Sequence, residues 1–570
     1  MRYVALITDY DGTAALHGRV DDATLRALEQ VRASGRRLVM VTGRLIDDLI
    51  RVCPQVDLFD RIVAENGAVN YDPRTRAMHA LGERPPSEFI QELRRRGVTP
   101  LSSGHVIVST WHPQETTVLE VIRELQLELQ VVFNKGAVMV LPTGINKATG
   151  LRAALAELGL SLHNTVGIGD AENDQAFLAA CECSVAVANA LDSVKNRVDL
   201  VTEGDHGAGV IELVDRLVKD DLRSLGSRLS RHEVPIGQTI SGDEVRLSPF
   251  GRAILVAGPS GAGKTVVTTT FLERLAAAGY QYCVVDPEGD YEGLSDTIAV
   301  DGPEPRALIG AVLEILAGPD QRVSVSLSDL RLEERPAFFG ALLLRLQELR
   351  ATTGRPHWII VDEAHHLMPS EWEPARTALP GELTSLLFVT VHPDHVSRAA
   401  LTLVDTVVIV GRDASTTVDA FARAQGQHMW STPDGLDDPA LGEAWLLSEG
   451  APAVLFNVLA PASDRRRHRR KYAKGELGTD KSFYFRGPDE RLNLRAQNLS
   501  TFAQLADGVD DETWTHHLRR HDYSKWFREA IKDPVLADET ATIEGQEDLS
   551  AADSRARILA AVRQRYTAPA

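Results

Sequence analysis

Short apolar runs that stop abruptly at glycine, acidic or hydroxyl residues recur along this chain, with segments of helical period between them. One group comprises Arg2–Thr8, Arg37–Val41 and Thr165–Ile168; a second comprises the run opening at Ile254, then Tyr282–Val285, Trp358–Val361, Ser385–Val389 and Val404–Val410. Near-continuous apolar runs of this length read as strands buried on both faces. After the Ile254 run, Val266, Val267, Phe271, Leu272 and Leu275 follow helical spacing. Strands alternating with helices predict an α/β chain with two Rossmann-like parallel-sheet units. Beyond residue 461 the pattern changes to helix-like stretches at Leu499–Ala506, Glu512–Arg519, Tyr523–Ile531 and Ala551–Tyr566, a small and mainly helical module. The expected divisions are 1–220, 232–460 and 461–570, with a polar link at Lys219–Arg231 and a β-rich approach at Glu233–Leu247. A length of 570 residues suits three or four units at about 150 residues each.

The sharpest chemistry lies where the Ile254 run breaks into Gly-Pro-Ser-Gly-Ala-Gly-Lys-Thr, residues 258–265. Gly258, Gly261 and Gly263 let backbone N–H groups wrap a phosphate chain, and the helix that follows aims its positive end at the same anion. Lys264 would reach the β- and γ-phosphates of ATP, and Thr265 would place its hydroxyl on Mg²⁺. Downstream, Trp358–Val361 ends in Asp362-Glu363: Asp362 to hold the Mg²⁺ shell, Glu363 to polarise the attacking water. The Ser385–Val389 run leads to Thr390-Val391-His392-Pro393, where a polar side chain can sense the γ-phosphate.

In the first group, Arg2–Thr8 ends in Asp9-Tyr10-Asp11-Gly12-Thr13. Two carboxylates two residues apart on such a turn suit a nucleophile, Asp9, and a general acid, Asp11. Arg37–Val41 ends in Thr42-Gly43-Arg44, Lys147 stands near a helix start, and Thr165–Ile168 runs into Gly169-Asp170-Ala171-Glu172-Asn173-Asp174, a carboxylate cluster fit for Mg²⁺.

On these four motifs and on Glu65-Asn66-Gly67-Ala68, the first 220 residues resemble haloacid-dehalogenase-superfamily phosphatases of the Cof or archaeal phosphoglycolate phosphatase type. The resemblance implies Asp9 as nucleophile and Asp11 as acid and base, with Thr42 and Lys147 holding the phosphoryl group. It places Mg²⁺ on Asp9, Asp170 and the Asp11 carbonyl, with Asp174 supporting metal and lysine. It also implies an inserted, substrate-choosing cap at roughly 84–140. The Asp286–Tyr291, Asp362–His366 and Thr390–Pro393 stretches resemble the HerA and FtsK branch of RecA-like ATPases. That resemblance implies a homo-oligomeric ring, typically a hexamer, that pumps DNA or protein, with an arginine such as Arg398 or Arg412 acting from a neighbour. His392 stands where that branch carries glutamine.

Composition narrows the setting. A net charge of −19 argues against a surface built throughout for nucleic acid and leaves Arg465–Lys471 as the one dense basic run. Cys53, Cys181, Cys183 and Cys283 are too scattered for a disulfide framework and read as buried thiols. No apolar run spans a bilayer, so a cytoplasmic protein without a membrane partner is expected. Trp514, Tyr523, Trp526 and Phe527 read as a small core, and His517 and His521 as surface residues. Two functions remain open: a Mg²⁺-dependent phosphomonoesterase joined to an ATPase that moves nucleic acid, or a small-molecule phosphatase regulated by the ATPase.

Overall fold

The computed structural model describes residues 1–228, 230–291, 293–372, 384–426, 436–462, 477, 482–531, 533–546 and 548–566. An eight-stranded sheet holds the first strand group in the spatial order Leu200–Val201, Cys183–Ala186, Thr165–Gly169, Ala5–Asp9, Arg37–Val41, Arg61–Ala64, Val69–Tyr71, Met78–Ala80. All run in one direction except Val69–Tyr71, which pairs antiparallel with the strand on either side of it. Leu6, Ile7, Val39, Met40 and Ile168 are fully buried, as central parallel strands require. A separate four-stranded antiparallel sheet, formed by Ser102–Ser103, Val108–Trp111, Leu129–Asn134 and Ala137–Pro142, packs its Val108, Val138 and Val140 face on helices Ser87–Arg95 and Glu115–Glu124.

The second group forms an 11-stranded sheet. Its strands Thr406–Val410, Ala253–Ala257, Leu386–Thr390, Trp358–Val361, Tyr282–Asp286, Val323–Ser326 and Ile298–Val300 lie side by side and parallel. The expectation of a parallel sheet is corrected at one edge, where Glu443–Ser448, Val454–Val458, Val234–Gln238 and Glu244–Leu247 add antiparallel strands. Residues 443–458 thus close the sheet that the glycine-rich loop opens.

The two sheets dock through the N-terminal ends of their strands. Glu182, just before Cys183–Ala186, is fully buried and accepts hydrogen bonds from the Tyr280 hydroxyl at 3.0 and 3.2 Å, just before Tyr282–Asp286. His163 stacks on Tyr280 with ring centroids 3.7 Å apart and donates Nε2–H to the Ala278 carbonyl. The Asn164 amide donates to the Arg2 and Gly354 carbonyls and its oxygen faces His357 Nε2, while Arg355 donates to the Gly159 carbonyl. Every strand that carries site residues ends on the opposite side of its sheet.

From Ser482 onward, helices Leu499–Gly508, Asp511–Arg519, Asp522–Glu529, Pro534–Glu544 and Ala551–Tyr566 enclose a core with Phe483, Phe502, Trp514, Tyr523 and Phe527. His517 is not a surface residue: it is buried, accepts from the Arg486 backbone N–H and pairs with Asp522 at 2.8 Å. Its helical spacing gave no sign of the strand Phe483–Phe485 that covers it. Among the described residues no helix is long and apolar enough to cross a membrane.

Candidate active sites

The first site forms at the C-terminal ends of Ala5–Asp9, Arg37–Val41 and Thr165–Gly169. Lys147 opens helix Lys147–Glu157, whose N-terminus is fixed by Asn146 Oδ1 accepting from the Ala148 and Thr149 N–H groups. This helix is packed so closely on the Glu65–Ala68 turn that a Cβ on Gly67 would lie 1.9 Å from the Asn146 carbonyl, which explains the glycine. The Lys147 ammonium, fully enclosed, bridges Asp9 Oδ1 and Asp174 Oδ1 at 2.6 Å each. Asp174 Oδ2 accepts from the backbone N–H groups of Asp170 and Ala171, and Thr13 donates its hydroxyl to Asp170 Oδ1.

One oxygen each from Asp9, Asp170 and Asp174 lies within 4.8 Å of the others, a hard-oxygen set that suits a divalent cation such as Mg²⁺. Burial first, then the Asp174 charge, push Asp9 up to about 8, and burial also raises Asp170. Burial pulls Lys147 down, but Asp174 and Asp9 outweigh it and hold its pKa above the ordinary lysine value.

The Asp11 carboxylate stands outside that cluster. Arg44 grips it with Nε at 2.5 Å and Nη2 at 2.7 Å, while Nη1 reaches Asp48. Thr42 is buried, and its Oγ1 accepts from the Arg44 backbone N–H, which leaves its own hydroxyl proton to be donated into the site. Two contacts with the inserted subdomain could not be read from the sequence, although one of the residues, Glu65, lies in a motif that could. Buried Glu65 accepts from the backbone N–H groups of His105, Val106 and Ile107, and so ties the inserted subdomain's loop to the site. From the same subdomain, Lys135 places its ammonium 2.5 Å from Asp170 Oδ2.

The second site lies at the C-terminal ends of the other parallel strands. Gly258 has φ 149° and its missing Cβ would fall 2.1 Å from the Val410 carbonyl; Gly261 and Gly263 also have positive φ, 80° and 111°. Lys264 opens helix Lys264–Ala277, followed by Thr265, and its ammonium donates to the Gly258 and Pro259 carbonyls of the loop. Strand Leu386–Thr390 separates the loop strand from Trp358–Val361, with Ala257 opposite Thr390 and Val361 opposite Phe388. That order brings Thr390 and His392 up between the phosphate loop and Asp362-Glu363.

Asp362 accepts from the Glu363 backbone N–H. Its pKa is raised, by burial first and then by Asp286, which is itself pushed up to about 7 by burial and Asp290. Glu363 holds a left-handed backbone, φ 43°, rare for a residue with a side chain and a form of local strain that clusters at functional sites. His365 faces Glu363 at 3.5 Å and the Thr390 hydroxyl at 3.1 Å, and burial, then His366, pull it down to about 4. Arg412 and Arg398 are both exposed; Arg412 follows Gly411, which packs on Ala262 of the loop, and Arg398 lies against Gly426. The basic run Arg465–Lys471 lies outside the described residues.

Residues 6–101 and 105–214 match the haloacid dehalogenase-like hydrolase family, and residues 251–394 match an AAA domain. Over 217 residues the chain is 30% identical to the phosphoglycolate phosphatase of Haloarcula marismortui, which covers 37% of this chain and 95% of that one. The phosphoglycolate phosphatase of Methanothermobacter thermautotrophicus is 29% identical over 221 residues, 38% of this chain and 98% of its own. A solved haloacid dehalogenase-like hydrolase from Bacteroides thetaiotaomicron is similar over 38% of this chain and 99% of its own, at 19% identity and a TM-score of 0.34. With the buried carboxylate–lysine cluster in place and both phosphoglycolate phosphatases matched almost end to end, the chain belongs to the haloacid dehalogenase-like hydrolases, as a phosphatase-type enzyme joined to an AAA domain.

Proposed function

We propose that residues 1–220 hydrolyse a small phosphate monoester through an aspartyl-phosphate, and that residues 232–460 hydrolyse ATP at a separate site. The observation that carries the first half is the Lys147 bridge between Asp9 and Asp174 beside Asp170. In this reading the free Asp9 oxygen attacks phosphorus, and the bond to the ester oxygen breaks as Asp11 gives that oxygen its proton. Asp11 then takes a proton from water, which attacks the phosphorus and releases Asp9 and inorganic phosphate. Arg44 occupies both Asp11 oxygens in this structure, so Asp11 turns one of them away from Arg44 to carry the proton, and Thr42 and Lys147 hold phosphoryl oxygens. Mg²⁺, held by Asp9, Asp170 and the Asp11 carbonyl with Asp174 in support, would neutralise phosphoryl charge when bound. Both oxygens of Asp174 serve Lys147 and two backbone N–H groups, which supports its part in steadying the lysine and the Asp170 turn beside the metal.

A small substrate is favoured because the inserted subdomain lies over the site: Lys135 meets Asp170, and strand Leu129–Asn134 packs on the Glu172–Asp174 turn. The phosphoglycolate phosphatases among the relatives support the same class. For the second half, Gly258–Thr265 would cradle ATP, Thr265 and Asp362 would hold its Mg²⁺, Glu363 would polarise water and His392 would sense the γ-phosphate. A HerA- or FtsK-like homo-oligomeric ring would be completed by Arg412, the exposed arginine beside the loop. The test is a pair of variants of the full chain assayed with Mg²⁺ on ATP and on a panel of small phosphate esters. Asp9→Asn is expected to lose ester hydrolysis and keep ATP hydrolysis, and Glu363→Gln to do the reverse while still binding ATP. Ester hydrolysis retained by Asp9→Asn overturns the nucleophile assignment, and ATP turnover retained by Glu363→Gln overturns the second.

A further inference from the structure

The inserted subdomain delivers one side chain into the phosphatase centre that the chemistry above does not use. Lys135 and Gly136 form the two-residue tip between Asn134 and Ala137, with φ of 48° and 90°, the positive pair that a tight type I′ hairpin demands. The tip is therefore a rigid presentation point, and its lysine crosses the Asp9–Thr13 turn. Its Nζ is 2.5 Å from Asp170 Oδ2, and equally close to where a Cβ on Gly12 would stand. Lys147 already supplies the enclosed cation that bridges Asp9 and Asp174. Lys135 differs from it: its side chain is 46% exposed, so it reaches the carboxylates from the solvent side, along the path a substrate's tail must occupy.

We propose that Lys135 is the specificity residue of the phosphatase site and reads a carboxylate carried on the carbon next to the phosphate ester. The inference rests on the phosphatase reading above and narrows its substrate to small phosphorylated carboxylic acids. Lys135 already pairs with a carboxylate at this position, that of Asp170, which shares the acidic cluster with the nucleophile Asp9. On substrate entry it exchanges that partner for the tail carboxylate; a short rigid hairpin cannot follow a carboxylate much farther from phosphorus. A neutral tail of the same length gives it nothing to bind.

The experiment uses the full chain with Mg²⁺ and two esters of equal length, 2-phosphoglycolate and ethyl phosphate. Lys135→Met is expected to raise KM for 2-phosphoglycolate about 10- to 100-fold, the worth of one charge-assisted hydrogen bond, with KM for ethyl phosphate within about twofold. Lys135→Arg restores most of the difference. Calorimetric binding of 2-phosphoglycolate to Asp9→Asn is expected to weaken by the same factor when Lys135→Met is added. Equal losses on both esters, or no loss on either, overturn the assignment while leaving the phosphatase reading standing. Failure of the unmodified chain to hydrolyse either ester, together with failure of Asp9→Asn to bind 2-phosphoglycolate, removes both.

Discussion

Glu182→Gln tests whether the two catalytic halves act as one body. The carboxylate is fully buried between the sheets and takes hydrogen bonds from Tyr280 Oη at 3.0 and 3.2 Å and from Arg2 Nη2 at 3.2 Å, and pairs with His163 Nδ1 at 2.7 Å. Burial alone would raise its pKa, but His163 first, then His232 and Arg2, overrule it and bring it down to about 2 from 4.5. That gap corresponds to about 3 kcal/mol of stability for the ionised form, and removing one partner of a buried pair costs about 3–5 kcal/mol by independent measure. The folded pKa is depressed, so the stabilisation is complete above pH 4.5 and is lost as pH falls through about 2. At pH 7 Glu182→Gln should therefore lose about 3 kcal/mol, and most of it should sit between the sheets. The assay is peptide-resolved hydrogen exchange in a urea series, read at 160–185 and 278–284, for the two single variants and the double variant with Tyr280→Phe. A coupling energy of about 0.5–3 kcal/mol is expected for directly bonded partners. Additive variants, or a Glu182→Gln loss below about 0.5 kcal/mol, would refute the argument that this carboxylate joins the halves.

Lys147→Met leaves three clustered carboxylates without their enclosed cation; ester hydrolysis should vanish, and thermal unfolding of the phosphatase half should show a loss of about 3–5 kcal/mol. Gly258→Ala forces a Cβ to within 2.1 Å of the Val410 carbonyl, so titration with a fluorescent ATP analogue should show binding lost while ester hydrolysis persists. Acid should loosen the docking through His357, whose Nδ1 accepts from the Gln281 N–H while Nε2 donates to Asn164, leaving no place for a second ring proton. Burial, then the charge of His163, hold His357 well below 6.5. Its contribution is thus full above pH 6.5 and lost as pH falls through the lower folded value. Hydrogen exchange at 278–284, corrected for intrinsic rate, should rise between pH 7 and 5, and His357→Asn should flatten that rise.

The strands, and the chemistry at their C-terminal ends, were legible because parallel strands buried on both faces must be apolar, while the turn after each carries the polar groups. Asp9, Thr42 and Asp170 could be located that way, as could Lys264, Asp362 and His392, while Lys147 was read only as a cation at a helix start. The resemblance to known phosphatases supplied the grouping that spacing alone leaves open. Lys135 had no such signal, because its reach depends on how the inserted sheet closes over the core, and a lysine before glycine reads as any exposed turn. Glu65 was visible only as part of a motif; that it holds three backbone N–H groups of a loop some forty residues later is a tertiary fact. The docking residues His163, Glu182, Tyr280 and His357 read as polar strand starts, and only the facing sheet buries Glu182 and Tyr280 and half-buries the two histidines. The antiparallel edge at 443–458 was missed for the related reason that the strand it pairs with, Thr406–Val410, offers no local clue to a partner on that side.

The docking geometry also bears on what the fusion is for. If the ATPase fed phosphorylated ends to the phosphatase, the C-terminal ends of both strand sets should face a shared space. They face opposite ways, because the contact is built from residues that precede the strands: Arg2, Asn164 and Glu182 on one side, Tyr280, Gly354 and His357 on the other. Direct transfer between the sites would have to travel around both sheets. A mechanical link has a shorter route, since the strand that starts after Tyr280 ends at Asp286, the strand that starts after His357 leads to Asp362, and the strand that starts after Asn164 leads to Asp170. Movement of Asp286 or Asp362 on nucleotide turnover would reach the phosphatase as a shift of strand ends at Glu182 and Asn164. If the ATPase regulates a small-molecule phosphatase, this is the route such coupling would take, and it gives the Glu182 cycle a functional counterpart. In Glu182→Gln the response of ester hydrolysis to ATP should weaken while each activity alone persists, and an unchanged response would leave the shared interface as a structural joint only.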